Sequence, residues 1–340
     1  MKMVEKNKLG ELMQAILDAG KELIAPVKQE NFSSYAAIKS PAEAALDLPL
    51  TRMPLKEFFF PKTECLFKYE QLEGGEVKLS EPEPPAKERV VFGARPCDAA
   101  SLPILDKVFT WDYNDSQYLT RRANTTIVSF ACDAPLPSCH CESVGLSPSS
   151  KDGSDVLFTP LDGSRFAVES LSEKGEKLLA LWGNELGDAS DADAQKAQRQ
   201  KVKLSGKQTD TVALRLKLKD KFESPAWARE TMKCVGCGAC AYLCPTCHCF
   251  DIVDEKTGAT TGKRCRNWDA CAFNTFTLHG SGHNPRAEQW QRYRQRVMHK
   301  FDYYPEKFGP VACVGCGRCL SACPVGMDIF EIIEKVTADE

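Results

Sequence analysis

The sequence predicts an α/β domain over residues 1–205 and a mainly α-helical domain over residues 206–340. The first part alternates short apolar runs, which are typical of buried strands, with amphipathic helical patterns. The second part contains one short cysteine motif twice, with helical patterns before and after each copy. Between the two parts, residues 183–210 are polar and highly charged, which favours a domain boundary or an exposed arm.

The spacing of apolar residues places the elements in chain order. The first part is predicted to contain a helix within 9–23, strands at 22–27, 89–93 and 125–130, a mostly irregular segment at 51–69, a helix at 99–109 with Asp98 as its N-cap, a hairpin of 156–159 with 166–169, and a helix at 171–182. The second part is predicted to contain helical segments at 211–233, broken at Pro225, and at 287–301 and 328–336.

The repeated motif has the spacing C-x2-C-x2-C-x3-C and is followed at once by proline. Its two copies supply the candidate ligands Cys234, Cys237, Cys240 and Cys244, then Cys313, Cys316, Cys319 and Cys323. Bacterial ferredoxins hold 4Fe-4S clusters with this spacing. Structural zinc, the alternative, normally uses two separated C-x-x-C knuckles. The second domain is therefore predicted to be ferredoxin-like, with two 4Fe-4S clusters.

In two-cluster ferredoxins, the fourth cysteine of each motif ligates the cluster of the other motif. Applied to this chain, the rule assigns cluster 1 to Cys234, Cys237, Cys240 and Cys323. It assigns cluster 2 to Cys313, Cys316, Cys319 and Cys244. Glycines within both motifs permit turns tight enough for backbone amides to point at the cluster sulfurs.

The other cysteines form two further groups of four and one isolated residue. Two predicted strands lead at their carboxyl ends to Cys97, Cys132, Cys139 and Cys141. Open α/β sheets bind ligands at such strand ends, so this group predicts a third cluster, with zinc, redox thiols or packing thiols as alternatives. A possible fourth cluster, or a set of thiols that tune the neighbouring one, is formed by Cys247, Cys249, Cys265 and Cys271. Cys65 is interpreted as a buried thiol.

Other polar residues near the motifs have two interpretations. A histidine could replace one cluster ligand or simply be hydrogen-bonded, and the candidates are His248, His279 and His283. Basic residues could offset the negative charge of the clusters, and the candidates are Lys233, Arg264, Arg266, Arg286, Arg292, Arg294, Arg296, Lys300 and Arg318. Taken singly, Arg292, Arg294 and Arg296 are better explained as a solvated helix face.

Composition limits the class of protein further. The 340 residues include 17 cysteines, and a formal net charge of -3 does not suggest nucleic acid as a partner. The N-terminal residues show no export signal, and no apolar run approaches the ~20 residues that span a bilayer, so a reducing cytoplasm is expected. No dinucleotide-binding, phosphate-loop or serine-nucleophile motif is found, so no catalytic centre is expected.

Several runs of the sequence together resemble a known family. They are PLKEFFFPKTE, FGARPCDAASL, KCVGCGACAYLCPTCHCFD, RNWDAC, GHNPR, RYRQRVMHKFDYYPEKFG and CVGCGRCLSACPVGMDI, and they cover nearly the whole chain. The family comprises the beta subunits of sulfhydrogenase-type hydrogenases and the A-type subunits of anaerobic sulfite reductases. The resemblance implies an iron–sulfur subunit beside a flavin- and NAD(P)-binding subunit, which exchanges electrons with a hydrogenase, sulfite reductase or heterodisulfide reductase partner.

The expected function is therefore single-electron relay through 4Fe-4S clusters in a multisubunit cytoplasmic oxidoreductase. One alternative is a catalytic subunit that binds flavin or substrate in its own α/β domain. The other is an interaction protein stabilised by zinc. Flavin in the isolated chain would favour the first alternative, and zinc in place of iron would favour the second.

Overall fold

The computed structural model describes residues 1–30, 32–83, 87–199 and 209–338. Their strands are β1 (Lys2–Glu5), β2 (Glu22–Lys28), β3 (Ser33–Ile38), β4 (Thr63–Gln71), β5 (Val77–Ser80), β6 (Arg89–Ala94), β7 (Thr125–Phe130), β8 (Val156–Pro160), β9 (Arg165–Ser170), β10 (Gly187–Asp188), β11 (Phe250–Lys256) and β12 (Thr261–Trp268). Their α-helices are α1 (Leu9–Asp18), α2 (Pro96–Phe109), α3 (Ser116–Ala123), α4 (Glu173–Trp182), α5 (Asp191–Arg199), α6 (Thr211–Asp220), α7 (Ala226–Glu230), α8 (Ala239–Tyr242), α9 (Gln289–Met298), α10 (Tyr304–Phe308), α11 (Arg318–Ser321) and α12 (Ile329–Ala338).

A mixed sheet of eight strands organises the N-terminal part, in the order β10-β1-β9-β8-β7-β6-β2-β3. The central strands β2, β6, β7 and β8 run parallel to one another, and the outer pairs are antiparallel. Every residue of β6 is buried, as expected for a parallel strand covered on both faces. The predicted α/β architecture of this part is confirmed.

Helices cover both faces of the large sheet. On one face, Leu12 of α1 and Trp182 of α4 are buried together, and the Trp182 indole donates to the Leu12 carbonyl at 3.0 Å. On the other face, α2 and α3 bury Leu102 and Tyr118. The sheet between these helices positions the carboxyl ends of β6 and β7, which lead to Cys97 and Cys132.

A second, antiparallel sheet has the order β11-β12-β4-β5. It takes β4 and β5 from the first part of the sequence and β11 and β12 from the second part, so it crosses the predicted division of the chain. The division itself, near residue 205, lies outside the described residues. The prediction that 51–69 is mostly irregular was wrong for its end, because β4 begins at Thr63 by pairing with β12.

A separate apolar cluster lies among several helices of the second part of the chain. Residues from α6, α7, α9 and α12 contribute to it, with Phe301 from the turn after α9, and Trp227, Val297 and Ile333 are among its most buried members. Between α9 and α10 lies one π-helical turn, His299–Tyr303. The helix predicted at 99–109 begins earlier, at Pro96, and its N-cap is Arg95 and not Asp98.

Candidate metal centres

Each ferredoxin motif forms a loop that ends in one helical turn, α8 or α11. Gly238 and Gly317 precede these turns with φ of 74° and 73°, a backbone conformation that favours glycine. Backbone amides point at ligand sulfurs, since Gly315 N lies 3.4 Å from Cys313 Sγ and Met327 N lies 3.3 Å from Cys323 Sγ. The loops therefore have the amide-to-sulfur geometry expected of a cluster site.

The eight motif cysteines line two neighbouring cavities. Site 1 is the cavity lined by Cys234, Cys237, Cys240 and Cys323. Site 2 is the cavity lined by Cys244, Cys313, Cys316 and Cys319. This grouping is the one that the crossed ligand assignment requires. Cys319 also lines site 1, so the two sites share a wall.

The cysteines near the large sheet gather at its carboxyl edge. Site 3 is defined as Cys97, at the start of α2, with three cysteines after β7, which are Cys132, Cys139 and Cys141. Burial raises the pKa of Cys132 to about 11 and of Cys141 to about 12, and neighbouring thiols add to both shifts. The Cys97 thiol is close enough to both Cys132 and Cys316 to be influenced by each. Site 3 therefore adjoins site 2.

The loop of site 3 packs directly on the second ferredoxin motif. His140 N donates to Gly315 O at 2.7 Å. A Cβ on Gly315 would collide with the His140 carbonyl, and one on Gly317 would collide with the Ser138 carbonyl. Only glycine at these two positions permits so close an approach, so the loop of site 3 and the second ferredoxin motif are in close backbone contact.

Three of the four cysteines predicted for a fourth site surround a further cavity of ≈ 260 Å³. They are Cys247, Cys249 and Cys271, and the side chains of His248 and His299 also line the cavity. Burial lowers the pKa of His248 to about 4 and of His299 to about 3, so both imidazoles are neutral. The fourth predicted member, Cys265, lies opposite Cys65 in the pairing of β12 with β4 and does not line this cavity.

Buried cations surround the motif cysteines. The Arg296 guanidinium donates to Cys247 Sγ at 3.2 Å and to the Cys240 carbonyl at 2.8 Å. The Lys300 ammonium donates to Cys244 Sγ at 3.3 Å. Burial opposes the charged form of Lys300, but the sulfurs of Cys244 and Cys247 raise its pKa above the ordinary value. Neither cation has a carboxylate partner within the described part of the chain.

Lys56, from the N-terminal half, completes this cationic shell. Its ammonium donates to the Cys247 carbonyl at 2.9 Å and lies 4.0 Å from the centre of the Trp268 ring. Burial lowers the pKa of Lys56 to about 8. Buried cations without carboxylates are costly unless another anion is near. Thiolate-ligated clusters supply that negative charge, so these residues fit the group.

A buried ion pair joins the second motif to the large sheet. The Arg318 guanidinium donates to Asp98 Oδ2 at 2.8 Å and to the Thr51 carbonyl at 2.8 Å. The Tyr35 hydroxyl donates to the same Asp98 oxygen at 3.0 Å. Both charged side chains are buried, with exposed fractions of 2% for Arg318 and 0% for Asp98.

Several basic residues and histidines that the sequence suggested as candidates lie away from the cysteine groups or differ from their predicted environment. Arg264 pairs with Asp254 at the surface, and Arg266 forms a buried pair with Glu64. His279 and His283 contact each other, with ring centres 5.3 Å apart, and line none of the four cysteine groups. The prediction of a solvated face for Arg292, Arg294 and Arg296 was wrong, because Arg292 and Arg296 are buried and Arg294 packs on Phe222.

Several residues at the candidate centres were not predicted. They are Lys56, Tyr35, Asp98 in its role as an ion-pair partner, and His299. Their side chains reach the cysteines from other elements, so no local spacing could have found them. Within the described ranges, no three His, Cys, Asp or Glu side chains converge at the spacing of a single metal ion.

The cysteine groups and their cationic shell define an iron–sulfur protein of electron transport. The family model for the 4Fe-4S dicluster domain matches residues 233–327. Over 317 residues the chain is 31% identical to sulfhydrogenase 2 subunit beta of Pyrococcus furiosus, covering 92% of this chain and 91% of that protein. The chain belongs to the same family of iron–sulfur subunits. No solved structure matches it. No helix among the described residues is long and apolar enough to span a membrane.

Proposed function

We propose that the chain relays single electrons between a subunit that binds flavin and NAD(P) and a catalytic partner of the hydrogenase type. A bound 4Fe-4S cluster supplies a centre that accepts and returns one electron. The observation that carries the proposal is the grouping of the motif cysteines into two adjoining cavities, each lined by cysteines of both motifs. The membership in a family of sulfhydrogenase beta subunits supports the choice of partner.

The proposed ligands follow the crossed assignment. Site 1 uses Cys234, Cys237, Cys240 and Cys323, and site 2 uses Cys313, Cys316, Cys319 and Cys244. Site 3, with Cys97, Cys132, Cys139 and Cys141, extends the row on the side of the large sheet. In this arrangement residues 206–340 act as a ferredoxin-like unit, and the α/β part of residues 1–205 adds the third centre.

The charged side chains around sites 1, 2 and 3 would set the reduction potentials of the clusters bound there. Arg296 and Lys300 place positive charge beside Cys247 and Cys244, which favours the reduced, more negative state. Site 1 lies at the surface, where Cys237 is exposed beside Val235 and Met232, which are 64% and 79% exposed. We place the docking of one redox partner at this end.

Metal analysis of the full chain tests the proposal. After anaerobic reconstitution with iron and sulfide, sites 1, 2 and 3 should account for about twelve of the irons bound per chain. Cys132→Ser should lose about four of them, whereas the matched control Cys65→Ser should lose none. Zinc in place of iron would overturn the proposal.

The partners are tested by electron delivery. NAD(P)H should reduce the clusters only when the flavin-binding subunit is added, and hydrogen only when the hydrogenase partner is added. Reduction by NAD(P)H in the isolated chain, with flavin bound to it, would instead identify a catalytic subunit.

A further inference from the structure

The cavity beside site 2 is lined by three cysteines, which could be ligands of another metal centre. Cys249 and Cys271 stand at the same end of the β11–β12 hairpin, where Asp269 N donates to the Cys249 carbonyl at 3.0 Å. Their thiols are in hydrogen-bond contact with each other. Cys247 completes the lining and is in contact with the Cys244 thiol of site 2. The cavity thus lies directly beside the proposed relay.

Three of the side chains that line this cavity are positively charged, which favours the binding of an anion. Arg286, Arg296 and Lys300 line it, and no Asp or Glu does so within the described residues. Buried cationic side chains are costly unless a negative group lies near them. The three cysteines can provide that charge as thiolates bound to iron.

A fourth ligand would have to come from a residue other than Cys265, which is held away on the second sheet opposite Cys65. Two histidines line the cavity, His248 and His299, and His248 stands between Cys247 and Cys249 in sequence. Its Nδ1 also lies 3.1 Å from the Thr246 carbonyl. His299 approaches from a different element, at the start of the π-helical turn. Its ring nitrogens have no hydrogen-bond partner in the part of the chain that the structure describes.

We infer that the cavity is a fourth 4Fe-4S site, ligated by Cys247, Cys249, Cys271 and the imidazole of His299. It exchanges single electrons with site 2, so each exchange oxidises one site by one electron and reduces the other by one. This role rests on the proposed relay function. Histidine ligands raise the reduction potential of iron–sulfur clusters, so the fourth site is the electron-accepting branch of the relay.

Variants of the full chain, reconstituted anaerobically with iron and sulfide, test the ligand set. Cys271→Ser should lose about four irons per chain relative to the unaltered protein. The matched control Cys265→Ser, which removes a cysteine of the same segment, should lose none. The EPR signals of sites 1 and 2 in the same samples check that each variant has folded.

The histidine is tested by a change that keeps the cluster. His299→Cys should retain all the iron and lower the potential of one cluster in an EPR-monitored redox titration. The control His279→Ala, at a histidine that lines none of the four cysteine groups, should leave every potential unchanged.

Full iron and unchanged spectra in Cys271→Ser would overturn the fourth site while leaving the proposed function intact. Unchanged potentials in His299→Cys would overturn the histidine ligand. Absence of iron from the unaltered chain would instead overturn the proposed function itself.

Discussion

The buried ion pair of Asp98 with Arg318 connects α2, which packs on the large sheet, to the second ferredoxin motif. A carboxylate at the start of a helical pattern predicts an N-cap, because capping needs only local geometry. In the structure, Asp98 instead lies within the first turn of α2 and accepts from Arg318, more than two hundred residues away in sequence. Local sequence could not reveal this contact, since it depends on the packing of the second motif against the large sheet.

Replacing Asp98 should therefore destabilise the protein strongly. Asp98→Asn removes the carboxylate that pairs with the buried Arg318, and breaking a buried pair in this way costs about 3–5 kcal/mol. Denaturant unfolding should show this loss. The matched control is Asp254→Asn, which breaks the exposed pair with Arg264 and should cost about 1 kcal/mol or less. Equal losses in the two variants would contradict the structural role of Asp98.

The Lys300 ammonium should tune the potential of site 2. It donates to Cys244 Sγ at 3.3 Å and has a raised pKa, so it is charged at neutral pH. Lys300→Met removes that charge, which destabilises the reduced state and lowers the potential. An EPR-monitored titration measures the shift. Lys335→Met, at the surface and paired with Glu331, is the control and should leave the potential unchanged. A potential that stays constant in Lys300→Met would rule out this electrostatic role.

At the scale of elements, the interlocked loops of sites 2 and 3 depend on Gly315. Gly315→Ala would drive a methyl group into the His140 carbonyl, so the two loops must separate. We expect the iron of sites 2 and 3 to be lost, with a lower thermal midpoint. Gly326→Ala is the matched control, because its φ of 65° resembles the 60° of Gly315 and nothing lies within 4 Å of the added carbon. Similar iron loss in both variants would indicate backbone strain alone as the cause.

Elements with a clear local pattern were predictable, and elements made by distant pairing were not. The strands β6, β7, β8 and β9 follow from short apolar runs bounded by turns. The β11–β12 hairpin was missed, because β11 is mostly exposed and polar, with the sequence FDIVDEK. It is stabilised by β12, which in turn pairs with β4 from the other half of the chain. A strand that is stabilised mainly by pairing with a distant partner need not show a strand-like pattern of apolar residues in its own sequence.

At the scale of the whole molecule, the two halves of the chain complete each other at the metal centres. Cys97 adjoins site 2 from the large sheet, and Lys56 reaches the carbonyl of Cys247. The second sheet adds the buried pair of Arg266 with Glu64 between the halves. Motif spacing predicted which cysteines form ferredoxin loops, because that chemistry is local. Motif spacing could not predict the cations or the histidine that surround these loops, because those side chains lie on other elements and reach the cysteines only in the folded chain.

The two ferredoxin motifs contribute cysteines to each other's cavities. Cys244 belongs to the first motif but lines the cavity of the second, with Cys313, Cys316 and Cys319. Cys244→Ala should therefore abolish the EPR signal that Cys316→Ala also abolishes. The reciprocal variant, Cys323→Ala, should abolish the signal that depends on Cys237, because Cys323 lines site 1. Loss of the Cys237-dependent signal in Cys244→Ala would show that each motif binds its own cluster, and the relay would then lack the cross-linked core that holds its two centres side by side.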